Sequence, residues 1–267
     1  MKLHHLRNAT LVIESGSHHI LIDPMLSTKG KLPPFSYFKH KPARNPLVSL
    51  PANAPEILER VKLCLVTHSQ KWGIEALTHT DHLDKPGKDF LREKNIPVVC
   101  LQRDATYMEK NGISVEVKLN YWEPADLLGG KITAVPARHG HSWMANLMAN
   151  GAGLFLELPD EPSIYISGDT VYTDDTERAL AELDPDIAVV AAGSASLDVG
   201  GPILMPLEEI LTFIATAPHK VVANHMEALN HCPTTRTMLK KTLAERDLLS
   251  KTLIPDDGET LTFFRPE

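Results

Sequence analysis

The sequence has few cysteines and no long apolar run. Cys64, Cys100 and Cys232 are odd in number and widely spaced, which argues against a disulfide framework and fits a reducing compartment. No segment approaches the roughly 18 apolar residues that indicate a membrane span. The opening stretch MKLHHLRNATLVIESG also lacks the apolar core and the cleavage pattern of a signal peptide. We therefore expect a cytoplasmic protein that does not engage a membrane.

Runs of lysine and arginine are also absent. The net charge of −7 and the pI of about 6.0 provide no general attraction to a nucleic-acid backbone, so we expect no nucleic-acid partner. With 267 residues, of which 43% are apolar and 23% charged, the chain has the composition of a globular protein with a sizeable core. A homo-oligomer stays open, because no stripe of residues demonstrates one.

Histidine, by contrast, is plentiful, with 13 residues. Some lie near turns or polar stretches, and we expect those at the surface: His4, His5, His18, His19, His40 and His219. Most of the others stand beside acids or further histidines, directly after predicted strands. These are the informative ones, because imidazole binds metals and transfers protons near neutral pH.

Apolar β-rich runs alternate with helical segments along the chain. TLVIE (Thr10–Glu14) and HILID (His19–Asp23) predict a hairpin around a Ser-Gly turn, and the Pro-rich stretch 24–55 predicts a long loop. Both halves continue in β-α alternation, and they meet near 120–130. The pattern predicts two sheets packed together with helices outside, an α/β fold, in a single domain that spans 1–267.

Four polar clusters follow predicted strands. They are His68 with His79, Asp81 and His82; His139 with His141; Gly168-Asp169-Thr170; and Asn224-His225. Taken singly, each has an ordinary explanation: a hydrogen-bonded histidine, a turn, or a helix cap. Together they favour a metal site, because ligands bind at the carboxyl ends of strands in α/β sheets. Imidazole and carboxylate suit Zn²⁺ best, and also Mn²⁺ or Fe.

The order of these clusters resembles the metallo-β-lactamase fold superfamily, and in particular the metal-dependent hydrolases related to L-ascorbate-6-phosphate lactonase. The matching stretches are LRNATLVIE, ILIDPML, LVTH, THTDHLD, VPARHGH, YISGDT, VVANHMEALNHC and IPDDGETL, which span nearly the whole chain. The resemblance implies a four-layer αββα sandwich built from two pseudo-repeated halves, with a metal site at one edge between the sheets.

The central motif departs from that family. The family pattern His-x-His-x-Asp-His places its last three members at His79, Asp81 and His82, but its first position is Leu77, which cannot ligate metal. His68 then becomes the displaced first ligand, with SQKWGIEAL (Ser69–Leu77) as an insertion. Two other interpretations stay open. In one, His68 is an ordinary strand-end histidine and one metal position is weak or empty. In the other, the insertion occludes the site.

For a site with two metals, the resemblance implies two ligand sets. They are His68, His79 and His139 in one, and Asp81, His82 and His225 in the other, with Asp169 as the bridge. Two ions roughly 3.5–4 Å apart share and activate a hydroxide. Asp81 would also orient this water. The number of ions, one or two, stays open.

Further candidates lie around this set. His141 is a candidate catalytic residue for contact with substrate or the metal-bound water, and His231 and Arg236 are candidate substrate contacts, since arginine suits phosphate or carboxylate. Asp84 is a candidate partner for a ligating imidazole or, as the alternative, a charge at the start of a helix. Asp23 is expected to fix the adjacent loop, and the resemblance places it near the metal edge. The aromatics of the loop and insertion, Phe35, Tyr37, Phe38 and Trp72, are candidates for the pocket mouth.

The leading hypothesis is a metal-dependent hydrolase of a small-molecule ester, lactone or phosphodiester. A nuclease of the same superfamily is disfavoured by the acidic charge. A redox di-iron protein would prefer glutamate where His79 stands. A degenerate member that binds metal or a partner without catalysis is kept open by Leu77 and the insertion.

Overall fold

The computed structural model describes residues 1–69, 79–141, 145, 148 and 150–265. Within these ranges the strands form two seven-stranded sheets. The first sheet runs, in spatial order, β14 (Thr260–Thr262), β1 (Lys2–Arg7), β2 (Thr10–Ser15), β3 (His18–Ile22), β4 (Leu63–Leu65), β5 (Val98–Leu101) and β6 (Val115–Leu119). The second runs β13 (Thr252–Leu253), β12 (Lys220–Asn224), β11 (Ile187–Ala191), β10 (Ile164–Ile166), β9 (Ala152–Glu157), β8 (Gly130–Pro136) and β7 (Ala125–Leu127).

The described α-helices divide between the outer faces of the two sheets. They are α1 (Ala54–Glu59), α2 (Lys85–Glu93), α3 (Gln102–Lys110), α4 (Asp174–Glu182), α5 (Leu207–Thr216) and α6 (Arg236–Glu245). Three of these helices are preceded by a capping residue whose side chain accepts a hydrogen bond from an amide of the first turn. The capping residues are Asp84 for α2, Thr173 for α4 and Thr235 for α6. Such caps fix where each helix starts, because the first-turn amides have no partner within the helix.

Three apolar clusters define four layers. The central one joins the facing sides of the sheets, with Leu11 and Ile20 from the first and Leu154 and Val189 from the second. A second cluster packs α4, α5 and α6 against the outer face of the second sheet. A third packs α1, α2 and α3 against the outer face of the first. The predicted αββα sandwich is therefore confirmed, because each sheet is buried on both faces.

The first strand differs from the sequence-based expectation. β1 was not predicted as a strand, and its His4 and His5 were expected at the surface, yet both are buried. The expectation was wrong because β1 is an interior strand that pairs with β2 on one side and β14 on the other. Strand β14 thus covers β1, whose local sequence alone indicates a polar, exposed segment.

Within the described part of the chain, the strands change from the first sheet to the second between β6 and β7, and only β14 returns to the first sheet. β4 and β5 run parallel to β3, and β10, β11 and β12 are parallel to one another. Carboxyl ends of parallel strands share one edge of a sheet, so the loops that follow them meet there. No helix in the described part of the chain is long and apolar enough to cross a membrane.

The long loop between β3 and α1 is held down by a buried arginine. The Arg7 guanidinium donates hydrogen bonds to the carbonyls of Met25 (2.7 Å), Ser27 (3.0 Å) and Val48 (3.0 Å). Burial lowers the pKa of Arg7 to about 10, so the side chain stays charged at neutral pH. One side chain therefore ties both ends of the loop to the opening hairpin.

Replacing Arg7 with methionine is expected to lower the free energy of unfolding by about 3 kcal/mol, because buried carbonyls lose their donor. Arg44→Ala is the matched control. Arg44 donates to the Gly30 and Lys31 carbonyls of the same loop but is exposed, so its loss is expected to cost below about 1 kcal/mol. Urea unfolding monitored by circular dichroism measures both, and equal losses would contradict the assigned role of Arg7.

Candidate metal centre

Seven of the predicted ligands lie together at the edge where the two sheets meet. They form one group of His68, His79 and His139, and a second of Asp81, His82, Asp169 and His225, with the ligand atoms inside each group within 4.8 Å of one another. His68 follows β4, His139 follows β8, Asp169 follows β10, and His225 comes directly after β12. His79, Asp81 and His82 lie in the turn before α2.

The first group is a triangle of imidazole rings. The ring centroid of His68 lies 4.4 Å from that of His79 and 4.9 Å from that of His139, and the last two are 4.8 Å apart. The main chain explains how His68 reaches His79, because the Ser69 carbonyl accepts a hydrogen bond from the His79 amide (3.0 Å). The structure thus places His68 where a displaced ligand would stand. Residues 70–77 of the insertion, Leu77 among them, lie outside the described residues.

Close approach of the second sheet to His68 depends on a glycine. A Cβ atom added at Gly151 would lie 2.8 Å from the His68 Cβ and 3.0 Å from the Thr67 carbonyl oxygen. Any side chain at this position would push the end of β4 away from the loop that leads into β9. Gly151 therefore lets the first sheet deliver His68 into a site that the second sheet completes.

The Asp169 carboxylate lies between the two groups. Its Oδ2 is 3.0 Å from the Nε2 atom of His82 and 3.7 Å from that of His139, while its Oδ1 is 3.6 Å from that of His225. One carboxylate thus reaches imidazoles of both groups, as the predicted bridge requires. Asp81 completes the second group, with Oδ2 3.9 Å from His82 Nε2 and 4.0 Å from His225 Nε2.

Several nitrogen and oxygen atoms of the two groups are buried without a hydrogen-bond partner among the described residues. They are His68 Nε2, His82 Nε2, both ring nitrogens of His139, and Asp169 Oδ1. His82 Nε2 and Asp169 Oδ2 are close, but they are not aligned for a hydrogen bond. Unpaired polar atoms at such density are costly, whereas divalent cations would bind one nitrogen of each imidazole together with the carboxylate oxygen. Imidazole nitrogen with carboxylate oxygen fits Zn²⁺, Mn²⁺ or Fe, so the residues fit the expected metal.

Burial and mutual proximity set the charge states. Burial, reinforced by neighbouring imidazoles, lowers the pKa of His68 well below its usual value and that of His79 to about 3. Burial acts in the same direction on His82, but Asp169 and Asp23 outweigh it and raise the pKa of this imidazole well above its usual value. Burial would raise the pKa of the Asp169 carboxyl, yet the imidazoles of His82 and His225 hold this pKa well below its usual range. The carboxylates that favour a proton on His82 also favour a divalent cation beside it.

Asp23 orients His82. Its carboxylate accepts hydrogen bonds from the Thr67 amide (2.8 Å), from the Thr67 hydroxyl (2.7 Å) and from His82 Nδ1 (2.8 Å). Because Nδ1 is occupied in this way, Nε2 of His82 is the nitrogen that faces the centre. The family resemblance placed Asp23 near this edge, but the sequence could not show that an imidazole is its partner.

Asp84, the candidate partner from the sequence, serves a different purpose. Its carboxylate accepts from the amides of Gly87 (2.8 Å), Leu26 (3.1 Å) and Ser27 (2.7 Å). It therefore caps α2 and fixes the long loop, so the alternative prediction of a charge at a helix start is confirmed and the prediction of an imidazole partner was wrong. The helix start decided its orientation, because the unpaired amides of the first turn attract a carboxylate.

Asn8 is a site residue that sequence reasoning missed. It lies in the β1–β2 turn with φ of 57°, and its Nδ2 is 3.2 Å from the Asp81 carbonyl and 3.4 Å from His225 Nε2. Its own carbonyl accepts from the His225 amide (3.0 Å). The signal was an asparagine in a tight turn, where it tolerates positive φ. On the far side of the ring, Cys232 Sγ lies 3.7 Å from His225 Nδ1.

Two predicted residues stand apart from both groups. The exposed His141 has its Nε2 atom 2.8 Å from Glu209. Arg236 forms ion pairs with Glu227 and Asp257, both at 2.6 Å. Their proposed roles in catalysis and substrate contact stay predictions, and both would require these side chains to leave their present partners.

His231 lies closer to the centre. It is buried, its ring packs edge-on against Phe35 at 5.3 Å between centroids, and its Nδ1 is 3.9 Å from Cys232 Sγ. Burial lowers its pKa to about 4 against the opposing charge of Asp81, so the ring is neutral. Of the other loop aromatics, Tyr37 and Phe38 are exposed, and Trp72 lies outside the described residues.

Comparison with known proteins places the chain in a family. The family described as the Beta-lactamase superfamily domain matches residues 18–226. The UPF0173 protein YddR of Bacillus subtilis (strain 168) is 33% identical and covers 98% of this chain and 100% of its own length. The crystal structure of an isothiocyanate hydrolase from Delia radicum gut bacteria is similar with a TM-score of 0.86 and 32% identity, covering 99% of this chain and 100% of that one.

A possible metal-dependent hydrolase from Veillonella parvula DSM 2008 is similar with a TM-score of 0.87 and 28% identity, covering 98% of this chain and 99% of that one. The metallo-β-lactamase resemblance is thereby confirmed. The finer likeness to L-ascorbate-6-phosphate lactonase stays a prediction.

Elemental mass spectrometry on purified protein tests the His68 assignment. We expect about two ions per chain in the wild type and a loss of about one in His68→Ala, because the first group loses one of its three imidazoles. His219→Ala is the control, since His219 is exposed and lies outside both groups. Equal metal content in wild type and His68→Ala would remove His68 from the site.

Asp23→Asn is expected to weaken Zn²⁺ affinity about 10- to 100-fold, because His82 loses the carboxylate that orients it. Competition with a chromophoric chelator measures this affinity. Asp84→Ala provides the contrast, with a loss of about 3 kcal/mol in stability, because three amides lose their shared acceptor, and little change in metal affinity. If both variants lost metal equally, the distinction between the two aspartates would fail.

Proposed function

The chain belongs to the Beta-lactamase superfamily domain family, and on that basis we propose that it is a metal-dependent hydrolase that directs water onto a small electrophilic substrate. The observation that carries this proposal is the position of Asp169, whose two carboxylate oxygens approach imidazoles of both ligand groups. This arrangement supports a pair of neighbouring divalent ions, with Zn²⁺ as the first choice and Mn²⁺ as the alternative.

Bound ions of this kind lower the pKa of water and polarise an electrophilic carbon or phosphorus. The protein's own contribution is to hold and orient the side chains that bind the ions. Asp23 fixes the His82 ring through Nδ1, and Asn8 holds the Asp81 main chain and the His225 amide. These contacts place the ligating atoms before substrate arrives, which avoids reorganisation during the reaction.

Asp81 is the proposed proton acceptor for the attacking water. Although burial acts in the opposite direction, His82 lowers the pKa of this carboxyl, so it is ionised at neutral pH. Its side chain is 11% exposed, the most accessible among the acids of the second group. An ionised carboxylate beside the centre is able to orient the water and to accept its proton.

The ion pairs of Arg236 favour an uncharged substrate. Arg236, the candidate for gripping phosphate, is paired with Glu227 and Asp257. Esters and lactones are therefore better candidates than phosphodiesters. Isothiocyanates join them, because the similar isothiocyanate hydrolase covers this chain almost completely. In that reaction water adds to the central carbon of R–N=C=S, and the adduct breaks down to R–NH₂ and carbonyl sulfide.

His231 is the proposed substrate contact. Its neutral ring packs against Phe35 and lies 3.9 Å from Cys232 Sγ, and that sulfur is in turn 3.7 Å from His225 Nδ1. A neutral imidazole is able to donate a hydrogen bond to the negative charge that develops on oxygen, nitrogen or sulfur during attack. An oriented donor in this position would contribute more to turnover than to ground-state binding.

Two alternatives remain as outcomes of the test. A member that binds metal without catalysis would fill both groups and hydrolyse nothing, and a nuclease would act on nucleic acid in spite of the acidic net charge. Absence of nucleic-acid and membrane partners, a cytoplasmic location and homo-oligomer formation stay predictions.

The decisive assay incubates the metal-loaded protein with an arylalkyl isothiocyanate, an aryl ester, a lactone, a bis-aryl phosphodiester and single-stranded DNA. We expect turnover of at least one of the first three, with loss on chelation and a drop of at least about 100-fold in His79→Ala. His219→Ala should retain wild-type rates. Turnover of DNA alone would establish the nuclease, and full metal loading with no turnover would establish the binding protein.

With the substrate that the protein hydrolyses in this assay, His231→Gln is expected to lower kcat about 10-fold with little change in KM. The reason is that a weaker hydrogen-bond donor replaces the imidazole. Metal content should stay at the wild-type value, since His231 belongs to neither ligand group. A variant that lost metal, or one that kept wild-type kcat, would contradict substrate contact by this residue.

A further inference from the structure

Three half-buried apolar side chains pack against one apolar cluster, which contains Cys232. They are Phe35 in the long loop after β3, Met148 in the loop before β9, and Leu197 in the loop after β11. Each keeps part of its surface exposed, so the three together present apolar area outside the core. We call these three side chains the apolar wall.

Two members of the apolar wall meet at His231, the proposed substrate contact. The Phe35 ring packs edge-on against the His231 ring, with 5.3 Å between centroids. Leu197 follows Ser196, whose amide donates a hydrogen bond to the His231 carbonyl (3.1 Å). Side chain and main chain of His231 are therefore both held by the segments that carry the wall.

The third member is tied to a predicted metal ligand. The Asn150 side chain accepts a hydrogen bond from the His139 amide (3.1 Å), and the Asn150 amide donates one to the Met148 carbonyl (3.1 Å). The apolar wall is thus connected to the substrate contact through two of its members and to the first ligand group through the third. A substrate bound at the centre would therefore have apolar surface beside it.

Polar contacts hold the Phe35 segment in place. The Asn230 side chain accepts from the Phe35 amide (2.8 Å) and donates to the Ser36 carbonyl (2.7 Å). Asp198, the residue after Leu197, accepts from the Ser36 hydroxyl (2.5 Å). These contacts join the long loop to the loop after β11 before substrate arrives. A surface formed in advance binds an apolar group more tightly, because no loop has to be ordered on binding.

We propose that Phe35, Leu197 and Met148 form the subsite for the apolar substituent of the substrate, with the electrophilic atom of that substrate directed toward the ligand groups. This inference rests on the proposed function and names the part of the substrate that the chain selects. An apolar substituent gains free energy by burying its surface against the wall. An uncharged polar substituent has no such gain, so the wall sets the preference among substrates.

A substrate series with methyl, propyl and 2-phenylethyl substituents tests the proposal on the metal-loaded protein. The three groups are placed on isothiocyanates, on the acyl part of aryl esters and on γ-lactones. We expect wild-type kcat/KM to be at least about 10-fold higher for 2-phenylethyl than for methyl, because apolar pockets discriminate by about this factor or more. This ratio should fall about 10-fold in Phe35→Ala and in Leu197→Ala.

Two further variants distinguish the subsite from a general loss of packing. Phe35→Leu keeps an apolar side chain and should retain most of the preference. Phe90→Ala is the matched control, since Phe90 is also half-buried but packs against the outer cluster of the first sheet. Metal content should stay at the wild-type value in all of them, because neither Phe35 nor Leu197 belongs to a ligand group.

Some outcomes would overturn the subsite and leave the hydrolase intact. One is a wild type that hydrolyses methyl and 2-phenylethyl compounds equally well. Another is a preference that is unchanged in both Phe35→Ala and Leu197→Ala. A dimer that dissociates in Phe35→Ala with unchanged preference, measured by light scattering, would assign the apolar wall to a second copy of the chain instead.

Failure of the proposed function has a separate signature. If none of these compounds is hydrolysed, the hydrolase proposal fails, and saturation-transfer NMR with 2-phenylethanol decides the subsite by binding alone. Transfer to the phenyl protons that is present in wild type and Phe90→Ala but lost in Phe35→Ala supports the subsite. Equal transfer in all three proteins, or none in wild type, would overturn it.

Discussion

Imidazole and carboxylate groups buried against one another at the junction of the two sheets are the constraint on which the rest of this structure depends. His68, His82 and His139 present nitrogens that lack hydrogen-bond partners among the described residues, and Asp169 presents an oxygen in the same condition. A folded chain tolerates this only where a cation, or protons shared among the groups, offsets the desolvation. Much of the surrounding structure holds these side chains in place.

The first sheet supports the centre through its opening hairpin. The β1–β2 turn carries Asn8 to the main chain of Asp81 and His225, and the end of β3 carries Asp23 to His82. Arg7, which directly precedes Asn8 in sequence, fixes the long loop that follows β3. The opening hairpin and the turn after it thus orient the ligating side chains. The ligands themselves come from later loops.

The second sheet supplies the edge where the ligands converge. Its parallel strands β10, β11 and β12 end together, and the loops after β10 and β12 carry Asp169 and His225. Gly151 allows the two sheets to approach at His68, where any side chain would collide. The centre is therefore a property of the interface between sheets, and neither half of the chain contains a complete ligand group of its own.

The sequence by itself determined the layers and the ligand candidates, because both depend on local signals. Apolar periodicity marked most strands, and strand-end clusters marked His79, Asp81, His82, His139, Asp169 and His225. Only the tertiary structure decided the burial of His4 and His5 under β14, the helix-capping position of Asp84, and the contacts of Asn8 and Asp23. These facts depend on which distant segment lies opposite a side chain, and in this chain such partners are up to about 250 residues away, as in the contact between His4 and Thr260. Local patterns report the type of each element, whereas long-range pairing selects the partner that each polar group meets.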